Sequence, residues 1–193
     1  MEVAILKYNA GNVQSVIYAL QRLGIEPVLT DNVDVLQKAD KVIFPGQGEA
    51  RSAMQYLRER KLDRLILDLK QPVLGICIGQ QLMCRHSEEG DTECLGIFDL
   101  AVKKFPPEDK VPHMGWNRLA ERQGPLFQRL PDEPHVYYVH SYYCETGDAT
   151  IAKTDYILPF SAALHKDNYY AIQAHPEKSG KDGAIILENF LSL

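Results

Sequence analysis

Gln71-Pro-Val-Leu-Gly-Ile-Cys77-Ile-Gly-Gln-Gln-Leu-Met83 is the stretch that decides the fold of this chain. Pro72 to Ile76 is a short apolar run, the length of one buried strand. Gly79 to Arg85 reads as a helix, with Leu82 and Met83 as its apolar members. Cys77 stands between them in the pattern Gly75-x-Cys77-x-Gly79. A strand that turns sharply into a helix strains the corner residue and lifts its side chain off the sheet. Glycines on either side let neighbouring backbone approach without a Cβ in the way. The sulfur then lies at a helix N-terminus, where partial positive charge favours thiolate over thiol. The alternative is a buried structural cysteine between two incidental glycines. Strand, corner, helix and both glycines agree with each other, and together they support a nucleophile.

Upstream of this corner, strands and helices alternate. Val3-Ala-Ile-Leu6 is apolar on both faces, as a central parallel strand is. Tyr8 to Asn12 forms a turn, and Asn12 is placed to cap a helix carrying Val13, Val16, Ile17 and Leu20. Gly24 ends that helix and Pro27-Val-Leu29 is a second strand. Asp31 is the expected cap of a short helix with Val35 and Leu36. Lys41-Val-Ile-Phe44 is a third strand, closed by Pro45-Gly-Gln-Gly48. Glu49 to Arg60 and the stripe Leu62, Leu65, Ile66, Leu69 read as helices leading into the corner strand. Alternation of this kind predicts a parallel sheet with crossover helices on both faces.

From about residue 90 to 175 the segments are short and β-like: 96–98, 101–103, 136–139, 150–152, 161–164 and 169–173, punctuated by prolines. They predict a mixed or antiparallel extension of the sheet with long loops. Ala184 to Phe190 is a closing helix. The 193 residues suit one domain, spanning 1–193, of three-layer α/β type with a mostly parallel central sheet.

Composition limits the function. A net charge of -5 and the absence of a Lys/Arg run argue against a nucleic-acid partner. No apolar run approaches the roughly 20 residues of a membrane span. The opening Met1-Glu-Val-Ala-Ile-Leu reads directly as a strand rather than a secretory leader. Cys77, Cys84, Cys94 and Cys144 show no metal-ligand spacing and read as reduced thiols. The expectation is a cytoplasmic protein without a metal or cofactor.

A nucleophilic cysteine needs a base. Of the six histidines, His175 is the best placed, in Ala171-Ile-Gln-Ala-His175-Pro-Glu177. Pro176 biases His175 toward extended backbone. In extended chain, residues two apart share a side, so Glu177 can hold one ring nitrogen while the other faces the thiol. This is base plus orienter, the logic of a triad; a solvated His-x-Glu turn is the plain alternative. An attacked carbonyl also needs oxyanion donors. The amide of Ile78, just after the nucleophile, is one. Pro45-Gly-Gln-Gly48 lies at the same sheet edge and can supply another. It lacks the third glycine of a dinucleotide loop. Trp116 reads as core or interface packing, and the aromatic run 136–143 as a strand with tyrosines at its wet edge.

Pro45-Gly-Gln-Gly48, Gly75-Ile-Cys-Ile-Gly79 and His175-Pro-Glu177 together resemble the class I, triad-type glutamine amidotransferases, whose fold is flavodoxin-like. The resemblance spans essentially the whole chain. Asn9-Ala-Gly-Asn12, Pro112-His-Met-Gly-Trp-Asn117, Val139-His-Ser-Tyr142 and His175-Pro-Glu-Lys-Ser179 are similar to the glutaminase subunits of imidazole glycerol phosphate synthases. The resemblance implies Cys77 as nucleophile, His175 as general base and acid, and Glu177 as orienter. It places L-glutamine against Gly48, Gln81, Ser141 and Tyr142, with an oxyanion hole near Gln47 and Ile78. It implies a heterodimer with a (β/α)8-barrel cyclase subunit that meets Met114, Trp116, Asn117, Tyr137 and Lys178. Ammonia made here would be used there, to form imidazole glycerol phosphate and aminoimidazole carboxamide ribotide in histidine biosynthesis. Glutaminase activity without that subunit is expected to be low. Three positions depart from the family pattern: Gln47 stands where Val is usual, Gln80 where Met is frequent, and Ala174 where an aromatic is usual. They bear on the oxyanion loop and on the packing behind His175. The rival readings are a glutaminase serving another ammonia-dependent synthase, and a non-catalytic binding or redox module on the same fold.

Overall fold

The computed structural model describes residues 1–9 and 13–193. The expected helix cap at Asn12 therefore lies outside the described residues. The first half alternates as the sequence predicts: β1 (Val3–Leu6), α1 (Gln14–Arg22), β2 (Val28–Thr30), α2 (Val33–Lys38), β3 (Lys41–Phe44), α3 (Ala50–Glu59), α4 (Leu62–Asp68), β4 (Val73–Ile76) and α5 (Ile78–Met83). Gly24 follows α1 with φ +78°, a left-handed stop that glycine adopts freely. Asn32, not Asp31, caps α2: its side chain accepts from the amides of Asp34 and Val35 at 2.9 and 3.2 Å. Asp31 lies one residue too early to reach them.

The second half adds β5 (Cys84–Ser87), β6 (Thr92–Glu93), β7 (Phe98–Lys104), β8 (His113–Arg118), β9 (His135–His140), β10 (Tyr142–Cys144), β11 (Thr150–Tyr156), β12 (Leu158–Lys166), β13 (Tyr169–Ile172) and α6 (Gly180–Leu191). The main sheet has seven strands in the order β11-β12-β13-β4-β3-β1-β2. The β2, β1, β3, β4 and β13 strands are parallel to one another. An antiparallel extension of β12 and β11 continues from β13.

Two expectations need correction. The helix after Cys77 stops at Met83, and Cys84 is already extended with ψ 177°. Nor do all the later strands extend the main sheet. The β10, β7, β5 and β6 strands form a separate four-stranded sheet, and β8 and β9 a two-stranded ribbon. The reason is that β4 is already paired on both sides, with β3 and β13. A chain leaving α5 finds no free edge there and must pair elsewhere.

Side chains that alternate along the central strands feed two cores. Ala4, Leu6, Val42 and Phe44 face α2 to α5 and the four-stranded sheet. Val3, Ile5, Ile43, Leu74 and Ile76 face α1, α6 and the β8–β9 ribbon. Strands apolar on both sides thus build a three-layer molecule, with the ribbon over one face and the four-stranded sheet over the other.

Candidate active site

β4 and β13 lie side by side in parallel register, Ile76 opposite Ile172. The backbone amide of Cys77 donates to the Ile172 carbonyl at 2.8 Å. Two segments far apart in sequence therefore leave the sheet at one level, at the carboxyl ends of adjacent strands where open α/β sheets place their ligands. Cys77 turns the chain with φ +53° and ψ -108°, outside the regions an L-residue ordinarily occupies. The close fit around the corner depends on glycine. A Cβ on Gly79 would come within 2.1 Å of the Phe44 carbonyl oxygen, and one on Gly46 within 1.9 Å of Ile78 Cγ2. The 45–48 loop is thereby pressed against the corner. The buried Tyr8 hydroxyl donates to the Pro45 carbonyl and ties the loop down from beneath.

Beyond β13, the chain turns through a short 3-10 segment, Pro176–Lys178. His175 Nδ1 bonds Glu177 Oε1 at 2.7 Å, and both side chains are almost wholly enclosed. The carboxylate accepts from Nδ1–H, leaving Nε2 as the working nitrogen. That Nε2 is buried and makes no hydrogen bond of ordinary length. Burial works against the imidazolium, but the nearby Cys77 sulfur and then the Glu177 carboxylate outweigh it and raise the imidazole to about 10. The imidazole is therefore protonated at neutral pH. The turn is held by its neighbours: His175 N donates to Tyr137 O at 2.9 Å, and the Ser179 hydroxyl donates to His175 O at 2.6 Å. Ser179 Oγ in turn accepts from Tyr137 N.

Cys77 opens into a pocket of about 450 Å3. Of the residues expected to bind substrate or oxyanion, Gln47, Gly48, Ile78, Gln81, Ser141 and Tyr142 all line it. Glu89 and His140 also line it, and sequence reasoning missed both. Glu89 accepts the Ala50 amide at 2.8 Å, and burial raises its carboxyl above the ordinary range. The acidic pair after Ser87 was the only trace of it in the sequence.

A histidine pair backs the pocket wall. His140 Nδ1 lies 2.7 Å from the Tyr142 carbonyl, which can only accept, so that nitrogen carries the proton. His140 Nε2 must then accept from His113 Nδ1 at 3.0 Å, and His113 Nε2 accepts from the Asn117 amide at 3.3 Å. Burial lowers His113 to about 4 and His140 to about 3, so both rings are neutral. No group of three or more His, Cys, Asp or Glu among the described residues is arranged to hold a metal.

The glutamine amidotransferase class-I family model matches residues 4–193. This chain belongs to that family. The amidotransferase is 60% identical to the imidazole glycerol phosphate synthase subunit HisH of Bacteroides thetaiotaomicron, with all of both chains covered. It is 45% identical to the protein of the same name from Yersinia pseudotuberculosis, again over the full length of both. A crystal structure of a glutamine amidotransferase superposes with a TM-score of 0.77 at 20% identity, covering 100% of this chain and 98% of the other, a likeness of fold.

In the amidotransferase the remaining expected residues do not line the pocket. Met114 and Trp116 project from β8 and are 63% and 56% exposed. Tyr137 packs edge-on against Trp116 at 6.1 Å from β9. Lys178 is half-buried on the turn below His175. Asn117 differs from these: its side-chain amide points inward, to His113 Nε2 and the Asp155 carbonyl at 3.0 Å.

Proposed function

We propose that this chain is the glutaminase subunit of an imidazole glycerol phosphate synthase, hydrolysing L-glutamine in the cytoplasm and passing ammonia to a (β/α)8-barrel cyclase subunit in a heterodimer. The observation that carries the chemistry is a strained Cys77 facing the pocket, beside an imidazole that Glu177 holds at 2.7 Å. The Cys77 thiolate attacks the side-chain amide carbon of glutamine. The developing oxyanion is met by the amide of Ile78 and by the loop amides at Gln47, each such donor being worth about 2.7–4 kcal/mol. Imidazolium Nε2–H protonates the departing nitrogen, and ammonia leaves a γ-glutamyl thioester. Neutral His175 then takes a proton from water, the resulting hydroxide attacks the thioester, and glutamate departs as the thiolate re-forms.

Binding follows from the same contacts. Both amide hydrogens of Gln81 are used, on the Tyr142 carbonyl and on Gln173. Gln81 therefore offers its Oε1 to the pocket, an acceptor suited to the α-ammonium of glutamine, and the Glu89 carboxylate lines the same pocket. Gly48, Ser141 and Tyr142 complete the wall. Ammonia released into water is mostly protonated and no longer nucleophilic, so the product must pass directly to an acceptor site. The exposed Met114 and Trp116, with Tyr137 and Lys178, form the proposed face for that partner, and Asn117, pointing inward, supports it from behind.

The test is a glutaminase assay with and without the cyclase subunit. Activity is expected to be low alone, to rise on addition of the cyclase, and to vanish in Cys77→Ser. Undiminished ammonia release by Cys77→Ser would refute the nucleophile. Capture of a different ammonia-consuming enzyme as the native partner would refute the pathway.

A further inference from the structure

Gln173 directly follows β13 and has no exposed surface. Its backbone amide donates to the Ala162 carbonyl at 2.9 Å. Its side chain lies between Gln81 and Cys77, and the neighbours fix which way its amide points. The Tyr142 carbonyl can only accept, so the Gln81 atom 3.0 Å from it is the amide nitrogen. The second hydrogen of that nitrogen is directed at Gln173, 2.9 Å away, so the Gln173 atom there is Oε1. Nε2 is then the atom that lies 3.5 Å from Cys77 Sγ. The reversed amide would set two NH2 groups against each other and a carbonyl oxygen against the sulfur.

We propose that Gln173 is a further catalytic residue, whose side-chain N–H donates to the Cys77 sulfur and stabilises the attacking thiolate. This rests on Cys77 being the nucleophile. The sulfur lies between this amide and the His175 ring, whose proton it helps to hold. The α5 helix behind the sulfur has only six residues, so few peptide dipoles align toward it. A neutral amide stabilises the negative charge without competing for the proton that His175 must deliver. Through Oε1 the same side chain holds Gln81, so the nucleophile and the substrate-facing wall share one fixed element. The titratable groups facing the sulfur are His175, from the turn after β13, and the Tyr8 phenol, which follows β1.

Two variants separate the roles. Gln173→Met keeps the side-chain length and removes the amide; Gln81→Leu removes the wall's Oε1 and the contact that orients Gln173, but leaves the Gln173 amide itself. Iodoacetamide alkylation of Cys77, read by mass spectrometry of its peptide across pH, reports the thiolate directly. Glutaminase kinetics of the cyclase complex report the reaction. In Gln173→Met the alkylation curve is expected to move to higher pH and kcat to fall at least about tenfold, the scale of a lost hydrogen bond to a charged group. In Gln81→Leu, KM is expected to rise, with a smaller movement of the alkylation curve than in Gln173→Met. A folded Gln173→Met whose alkylation curve superimposes on the parent overturns the proposal, whatever its kinetics. Gln173→Leu, a second apolar variant of similar size, decides the matter if Gln173→Met does not fold. Full activity in Cys77→Ser would instead overturn the nucleophile assignment, a result distinct from failure of the Gln173 donor.

Discussion

His175 keeps its proton at neutral pH because a sulfur and a carboxylate outweigh the cost of burying a cation. In the proposed mechanism this is the proton handed to departing nitrogen, so turnover is expected to persist on the alkaline side until the imidazolium titrates, at about 10. Glu177→Gln removes one of the two influences that hold the proton. The alkaline limb of the pH–rate profile should move to lower pH, and kcat should fall by about 100-fold or more, the usual scale for a disabled acid–base group. An unmoved limb would show that Glu177 does not set the charge on His175. Cys77, His175 and Glu177 were legible in the sequence because each carries a local constraint: flanking glycines for one, a following proline and an i, i+2 spacing for the pair. Gln173 and Glu89 were not. A neutral amide announces no chemistry by itself, and its contact with the sulfur exists only through the register of two strands joined across 96 residues.

Among the elements, the β8–β9 ribbon was the hardest to read. Its first strand contains His113, Gly115 and Asn117, residues that do not mark a strand, and it follows a proline. Its inward face turns out to hold the neutral histidine pair, with His113 stacked between Tyr138 and Tyr156. That arrangement has a pH cost. Both folded-state values lie below the ordinary 6.5, so the unfolded chain binds more protons as the medium is acidified. The stability contribution is complete above pH 6.5 and is lost as pH falls from there toward 4 and 3. At pH 5, some 1.5 units below the unfolded value, enclosed His140 alone should cost about 2 kcal/mol. Thermal melts of the parent should show Tm falling between pH 7 and pH 5, and His140→Asn should flatten that slope. An equal slope in both would assign the acid sensitivity elsewhere. The alternation of β1 to β4 with their helices was legible because strands apolar on both faces leave little choice of environment. The separation of the four-stranded sheet was not, since it depends on which edge of β4 is already taken.

At the scale of the molecule, the pocket and the face carrying Met114 and Trp116 are two sides of one construction. Tyr137 lies beside Trp116 on β9 and its backbone is bonded to the His175 turn on both sides. A partner seated on the ribbon therefore presses on the element that positions the base. Trp116→Ala, at an exposed aromatic with the character of an interface anchor, is expected to weaken the cyclase complex by about 2 kcal/mol or more, measurable by titration calorimetry. An unchanged Kd would place the docking face elsewhere. The parallel pairing of β4 with β13 has a consequence during synthesis. A ribosome adding about 5–20 residues per second finishes Cys77 several seconds before His175 and Glu177 exist. Throughout that interval the nascent chain carries a thiol with no base, no orienter and no Gln173 to hold it. A chain that breaks off early yields an inert fragment rather than an unregulated consumer of glutamine.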